Sequence, residues 1–190
     1  MTAGSNTAWR ILGVDPGAAH AGFVFFEVPA LQSSDTPLTL LRKAKNLRSL
    51  TYHSNLRDDA RAAEFYQWMV NKLTKPIDLV VVESVIFRPN RGGHMSYAQA
   101  AVYTSMVLVG MYYRREGAKF LAVPENILQV NRSKVFSLWG FKIRSHDKER
   151  KLHQLIDTYV TLQQRNKHVK DALAVGLAGA VAYIKTNTKK

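Results

Sequence analysis

The chain has 190 residues, 46% of them hydrophobic and 22% charged, which is the balance of a folded domain rather than a disordered chain. It contains no cysteine, which excludes a disulfide framework and thiolate metal sites, and no apolar run approaches the ~20 residues of a membrane span. A net charge of +13 predicts a polyanionic partner, nucleic acid before others. A solubility surface or association with ribosomes would also explain the charge.

The first half of the chain reads mainly as strands. An apolar run at 9–14 predicts a strand that ends in the turn Asp15-Pro16-Gly17, and 22–28 predict a second strand paired with it in a hairpin. Residues 38–41 predict a third strand, which 47–52 continue or pair with. Apolar residues that recur at helical spacing predict a helix at 57–73. A run that is apolar on both faces predicts a buried strand at 77–85.

A basic, glycine-rich loop at 88–94 follows. The remaining predicted elements are a helix at 96–115, a strand at 119–123, and helices at 125–139, from about 145, and at 169–184. Strands first and helix–strand alternation later predict a mixed sheet with helices on its faces. We therefore expect one α/β domain over 1–190, with 1–8 and 186–190 flexible. Because 1–8 is polar and lacks an apolar signal core, we also expect a cytoplasmic protein.

Acidic residues stand at the ends of apolar segments of this basic chain. Asp15 ends the first strand, Glu83 ends a run of Val and Leu, and Asp171 begins an apolar helix three residues after His168. Burying a carboxylate is costly unless a cation or hydrogen-bond donors compensate it. If these groups meet at one sheet edge, they suit a hard divalent cation such as Mg²⁺.

Each acidic signal also has an ordinary explanation. Asp15 would serve as a turn former, and Glu83 would cap a helix or pair with Arg88. Asp171 would favour a helix N-terminus through the helix dipole, and His168 would be a surface or capping histidine. Only the order of the segments along the chain favours one common site.

That order resembles the RuvC family of Holliday junction resolvases. The resemblance rests on Ile-Leu-Gly-Val-Asp15-Pro-Gly, Val-Val-Val-Glu83-Ser-Val and His168-Val-Lys-Asp171-Ala-Leu-Ala-Val-Gly, and it extends from Ile11 to about Tyr183. It implies an RNase H-like fold: a central mixed five-stranded sheet flanked by helices. It also implies that these four residues bind two Mg²⁺ ions, for which Mn²⁺ would substitute. The spacing of i and i+3 places His168 and Asp171 on one helix face.

The resemblance further implies two-metal hydrolysis of phosphodiesters, with 5′-phosphate and 3′-hydroxyl products. His168 would be a metal ligand or, as the second choice, a general base that orients water. Family members have a catalytic lysine in a Ser-x-x-Lys setting, which Ser145-His-Asp-Lys148 matches. Lys148 would then neutralise the scissile phosphate.

A basic stretch surrounds that lysine and would follow DNA phosphates, although any one member would also suit a solvated helix face. Its predicted DNA-binding members are Arg132, Lys134, Lys142, Arg144, Arg150 and Lys151, together with Lys148. The family places an aromatic wedge three residues after the glutamate, but Ile86 occupies that position here. Either Phe87 stacks on bases after a shift of one residue, or the wedge is absent. Arg88, Asn90 and Arg91 of the glycine-rich loop would contact the junction backbone.

The predicted helix at 96–115 is apolar or small almost all round, so we expect it to be buried on two sides. One side would face a second protomer, since a two-fold symmetric junction calls for a two-fold dimer. Otherwise another part of the same chain covers it.

Three other functions stay open. The first is a nuclease of the same chemistry with broader selectivity for branched or flap DNA, as would suit a phage-encoded enzyme. The second is an actin-like or sugar-kinase fold, which shares an Asp-x-Gly loop, but no further glycine-rich phosphate motif supports it. The third is a non-catalytic, junction-binding or ribosome-associated relative, which would not need all four proposed ligands.

Overall fold

The computed structural model describes residues 8–16, 20–53, 64, 77–84, 126–142, 147–164 and 166–187. Within them one five-stranded sheet has the order β3-β2-β1-β4-β5. Its strands are β1 (Trp9–Asp15), β2 (His20–Val28), β3 (Lys45–His53), β4 (Leu79–Ser84) and β5 (Ile127–Asn131). The described helices are α1 (Pro37–Lys43), α2 (Arg132–Leu138), α3 (Lys148–Tyr159) and α4 (Lys167–Asn187). The predicted mixed sheet with flanking helices is confirmed.

The sheet is antiparallel on one side and parallel on the other. β1, β2 and β3 pair antiparallel in chain order, whereas β4 joins β1 in parallel and β5 joins β4 in parallel. The four apolar residues that open β4 are fully buried, as expected for a strand covered on both faces. The carboxyl ends of β1, β4 and β5 consequently lie at the same edge of the sheet.

Helix α4 crosses one face of the sheet and packs on β1, β2 and β4. It is rich in Ala and Gly and is buried along almost its whole length, so its backbone lies close to the strands. Trp139, just after α2, donates from its indole Nε1 to the carbonyl oxygen of Ala174 at 3.1 Å and ties α2 to α4. In the described ranges no helix has both the length and the apolar character needed to cross a membrane.

The third strand predicted at 38–41 is wrong, because this segment lies within α1. Thr36 caps the helix: its hydroxyl accepts from the Thr39 amide at 3.1 Å, and the Thr39 hydroxyl accepts from the Thr36 amide at 2.8 Å. Pro37, at the first helical position, suits the start of a helix. The buried residues Pro37, Leu40 and Leu41 have helical spacing. The third strand is β3, which includes the predicted segment 47–52.

The helix predicted at 125–139 is wrong in its first half. Residues 127–131 form β5, which pairs with β4 and buries Val130. The Asn131 side chain accepts a hydrogen bond from the Lys134 amide at 2.8 Å, and α2 begins only there. Ladder pairing with a buried strand outweighs the local helical pattern.

The other predicted elements divide between confirmed ones and ones that lie outside the described residues. The strands at 9–14 and 22–28 and the last two helices are confirmed, with the last helix extending from 167 to 187. Of the strand predicted at 77–85, residues 79–84 are confirmed. The predicted helix at 96–115, the strand at 119–123 and all but residue 64 of the helix at 57–73 lie outside them.

Candidate metal centre

Two acidic side chains end neighbouring parallel strands. Val14 of β1 pairs with Val82 of β4, so the next residues, Asp15 and Glu83, lie side by side. Side chains alternate between the two faces of a strand, so residues two positions apart share a face. Asp15 shares its face with Gly13, and Glu83 shares its face with Val81; Gly13 and Val81 both contact α4. Both carboxylates therefore face the helix, and they are only 8% and 9% exposed.

Two glycines bring the start of α4 onto these strands. A Cβ atom at Gly13 would lie 2.0 Å from the carbonyl oxygen of Ala172, and one at Gly22 would lie 2.1 Å from that of His168. No side chain fits at either position, so the helix backbone rests directly on β1 and β2. This contact places His168 and Asp171, the two predicted ligands of the helical motif, beside Asp15.

Both aspartates of the cluster are paired with histidines. His168 Nδ1 is 2.8 Å from Asp15 Oδ2, and His153 Nε2 of α3 is 2.8 Å from Asp171 Oδ1. The His168 ring also stacks on that of His20, with 5.8 Å between the ring centroids. Each aspartate thus has one oxygen held by an imidazole.

Arg132, the first residue of α2, reaches into the acidic cluster. Its guanidinium nitrogens lie 3.5 Å from Glu83 Oε1, 3.5 Å from Asp171 Oδ2 and 2.9 Å from Glu149 Oε2. Burial disfavours its charge, but the surrounding carboxylates outweigh burial and raise the pKa of Arg132. In the sequence this residue was predicted to contact DNA phosphates; here it contacts carboxylates of the same chain.

The single guanidinium does not compensate all the acidic groups. Burial, opposed by Arg132, raises the pKa of Glu83 from 4.5 to about 8. Burial also raises the pKa of Asp15, although the hydrogen bond with His168 opposes the shift. A raised carboxyl pKa means that this environment disfavours the negative charge. Further positive charge would stabilise the cluster.

The donor set fits a hard divalent cation. Asp15, Glu83 and Asp171 supply carboxylate oxygens and His168 an imidazole nitrogen, which are ligands that Mg²⁺ and Mn²⁺ accept. The structure gathers all four predicted residues at one sheet edge, while their role as ligands stays a prediction. Donor atoms of Glu149, His153 and Asp171 also lie within 4.8 Å of one another.

Lys148 borders the site at the first turn of α3. Its Nζ lies 4.7 Å from the centroid of the Phe136 ring, which the Arg132 guanidinium also approaches, at 5.8 Å. The predicted DNA-binding residues with exposed side chains are Lys134, Lys142, Arg150 and Lys151. Those that lie outside the described residues are Phe87, Arg88, Asn90, Arg91 and Arg144.

Two residues at the site were not singled out from the sequence. Glu149 and His153 are four positions apart on α3, so they share one helix face. That spacing was the available signal, but it lies in a segment dominated by basic residues. Nothing local indicates that this face meets α4.

The fold resembles solved structures of junction resolvases. Thermus thermophilus RuvC in complex with a Holliday junction substrate has a TM-score of 0.66 and 17% identity, covering 95% of this chain and 97% of that one. A second Thermus thermophilus RuvC structure has a TM-score of 0.60 and 19% sequence identity, and the match covers 94% of this chain and 97% of that one. The yeast mitochondrial Holliday junction resolvase has a TM-score of 0.50 and 9% sequence identity, and the match covers 95% of this chain and 85% of that one. No family model matches, and no curated protein matches significantly by sequence.

At these identities the likeness establishes the fold. The chain has an RNase H-like α/β fold, as expected from the sequence. More narrowly, the fold of the described residues is similar to that of the two RuvC structures from Thermus thermophilus.

Proposed function

We propose that the chain is a divalent-metal-dependent DNA endonuclease that resolves Holliday junctions by paired, symmetric nicks. The observation that carries the proposal is the cluster of Asp15, Glu83 and Asp171. All three residues are at most 9% exposed, and their carboxylates meet at the carboxyl edge of the sheet beside one guanidinium. Gathering three buried carboxyl groups beside a single guanidinium is costly to the fold, which favours a functional role for them.

Two further observations support a DNA substrate. A RuvC structure that this chain resembles was determined with a Holliday junction substrate. The chain also has a net charge of +13 although its candidate site is acidic. A positive surface around an acidic centre would attract the DNA backbone while leaving the carboxylates for cations.

In this proposal Asp15, Glu83, His168 and Asp171 hold two Mg²⁺ ions. Bound at such a site, a pair of divalent ions supplies the Lewis acidity that phosphodiester hydrolysis needs. The protein keeps the ligands in place: Gly13 of β1 and Gly22 of β2 let the backbone at the start of α4 rest directly on these two strands, beside Asp15. The products would have 5′-phosphate and 3′-hydroxyl ends.

We also propose a homodimer, since symmetric cutting of opposed strands calls for two sites related by a two-fold axis. Residues 96–115 are the proposed contact. The measurement that checks this is the mass in solution by light scattering at micromolar concentration; a mass near the 21.4 kDa of one chain would contradict it.

The test of the proposed function uses three DNA substrates: a synthetic four-way junction, a flap and a linear duplex, each labelled on every strand in turn. In Mg²⁺, but not in EDTA, we expect nicks at symmetric positions on opposed junction strands, and an intact duplex. Equal cutting of the flap would instead indicate a broader debranching nuclease. Junction binding without cleavage of any substrate in Mg²⁺ or Mn²⁺ would indicate a non-catalytic relative and overturn the proposal.

Replacing Lys148 by alanine is expected to lower kcat for junction cleavage by about 10²-fold, because one positioned cationic donor at a reacting phosphate contributes on that order. The junction Kd should change little, since many other cations contact the backbone. Single-turnover cleavage and a binding titration in EDTA separate the two effects. Lys185→Ala, an exposed change in the last turn of α4 with no proposed contact to DNA, is the matched control. Equal rates in the two variants would remove Lys148 from the proposed chemistry.

A further inference from the structure

The carboxylate of Asp171 is held between three elements. The residue belongs to α4 and is only 7% exposed. Its Oδ2 faces Arg132 of α2 at 3.5 Å, and its Oδ1 is 2.8 Å from Nε2 of His153 on α3. The two oxygens therefore have different partners.

The His153 side chain is largely enclosed. Its side chain is 15% exposed, and its neighbours Leu152 and Ile156 are buried in the core, so they anchor this face of α3. One turn earlier, Glu149 contacts the same guanidinium that faces Asp171 Oδ2. The helix face that carries His153 is therefore held against Asp171 from both ends of this turn.

We propose that His153 is a positioning residue for the metal centre, a proposal that rests on the proposed function. Its Nε2–H donates to Oδ1 of Asp171 and fixes the rotation of the carboxylate. Oδ2 is thereby left facing Arg132, whose guanidinium also contacts Glu83. A hydrogen bond from a fixed donor to a ligand carboxylate orients the ligand and affects metal affinity by about 10–100-fold.

The same geometry distinguishes this role from a structural one. A histidine that only packed α3 on α4 would be replaceable by an apolar side chain of similar size without changing the centre. A positioning histidine is replaceable only by a side chain with a donor at the place of Nε2. Glutamine reaches that place with its amide nitrogen, whereas asparagine is too short and leucine has no donor.

The experiment measures Mn²⁺ binding to the whole protein without DNA, by calorimetric titration, for wild type and for His153→Leu, His153→Gln and His153→Asn. We expect the Kd for Mn²⁺ to rise about 10-fold or more in the Leu and Asn variants, and by less than about 3-fold in the Gln variant. The Mg²⁺ concentration for half-maximal cleavage should shift in parallel, and the junction Kd in EDTA should stay constant. Gln154→Leu, at the next, exposed position, is the control and should bind Mn²⁺ as wild type does.

Wild-type Mn²⁺ affinity in folded His153→Leu or His153→Asn would overturn the proposal, as would equal loss in the Gln and Asn variants. If the Leu variant does not fold, the Gln–Asn comparison decides alone. The variant Glu83→Gln distinguishes a failure of the positioning role of His153 from a failure of the proposed metal centre. If Glu83→Gln loses Mn²⁺ binding while the His153 series does not, only the positioning role fails. If wild type binds no Mn²⁺, both fail.

Discussion

Replacing Glu83 by glutamine is expected to abolish junction cleavage and, in EDTA, to raise the melting temperature by several degrees. Glutamine keeps the shape of the side chain and is neutral without taking up a proton. The Glu83 carboxyl, in a residue that is 9% exposed and lies beside two other buried carboxylates, is neutral only when it is protonated. In a domain of this size, each ~1 kcal/mol of added stability raises Tm by roughly 2–4 °C. Activity and stability should thus change in opposite directions.

The raised pKa of Glu83 also predicts how the stability of the wild-type protein changes with pH. Because the folded protein raises the pKa of Glu83 from 4.5 to about 8, it binds this proton more tightly than the unfolded chain does. The stabilisation is complete below the unfolded value and is lost as pH rises through the folded one. Wild-type Tm in EDTA should fall between about pH 4.5 and pH 8. Glu83→Gln should make this part of the profile flatter.

Divalent metal should replace the proton in wild type. A ligand that binds only the folded state raises Tm as its concentration increases, so we expect Mg²⁺ to stabilise wild type at pH 8 and to have little effect on Glu83→Gln. The measurement is thermal unfolding by circular dichroism, in EDTA and across a Mg²⁺ series.

Glu27→Gln is the matched control, since Glu27 lies on β2 at the end of the sheet away from Asp15. It should leave cleavage and the Mg²⁺ response intact. A Glu83→Gln protein that melts below wild type in EDTA at pH 8, or that still cuts junctions, would contradict the assignment of this carboxylate.

The sequence predicted those residues of the candidate site that stand at the end of an apolar strand or at the start of an apolar helix. Asp15 and Glu83 each follow a run of apolar residues, and a charge at the end of a buried strand is visible without a structure. The His168–Asp171 pair is visible for the same reason, at the start of an apolar helix. Their order along the chain carries the family resemblance, which implied the RNase H-like fold that the structure confirms.

What the sequence did not predict depends on contacts between distant segments. Arg132 and Asp171 are 39 positions apart, and His153 and Asp171 are 18 positions apart. No local pattern distinguishes an arginine that faces phosphates from one that faces carboxylates of its own chain. The errors at 38–41 and 127–131 have a related origin. Short apolar runs fit either a helix or a strand, and capping by Thr36 or pairing with β4 decides between them.

Replacing Gly22 by alanine is expected to lower the junction cleavage rate by about 10²-fold, although Gly22 is not itself a ligand. Its φ lies outside the left-handed region, so alanine suits the local backbone. The added Cβ, however, would lie 2.1 Å from the His168 carbonyl oxygen and 2.8 Å from the Val169 nitrogen. Both are backbone atoms of α4, so the start of the helix must move by roughly 1 Å, and misplacement on that scale is enough for a loss of this size.

Gly179→Ala separates positioning from stability. Its Cβ would lie 2.2 Å from a methyl group of Val81, so it also forces a clash between α4 and the sheet. It is, however, 11 residues beyond His168, about 16 Å along the helix. We expect both variants to lose about 1–3 kcal/mol of unfolding free energy in denaturant titrations. At a temperature where both are folded, only Gly22→Ala should lose cleavage and Mn²⁺ affinity. Equal cleavage rates would mean that the close contact of α4 with β2 serves the core and not the metal centre.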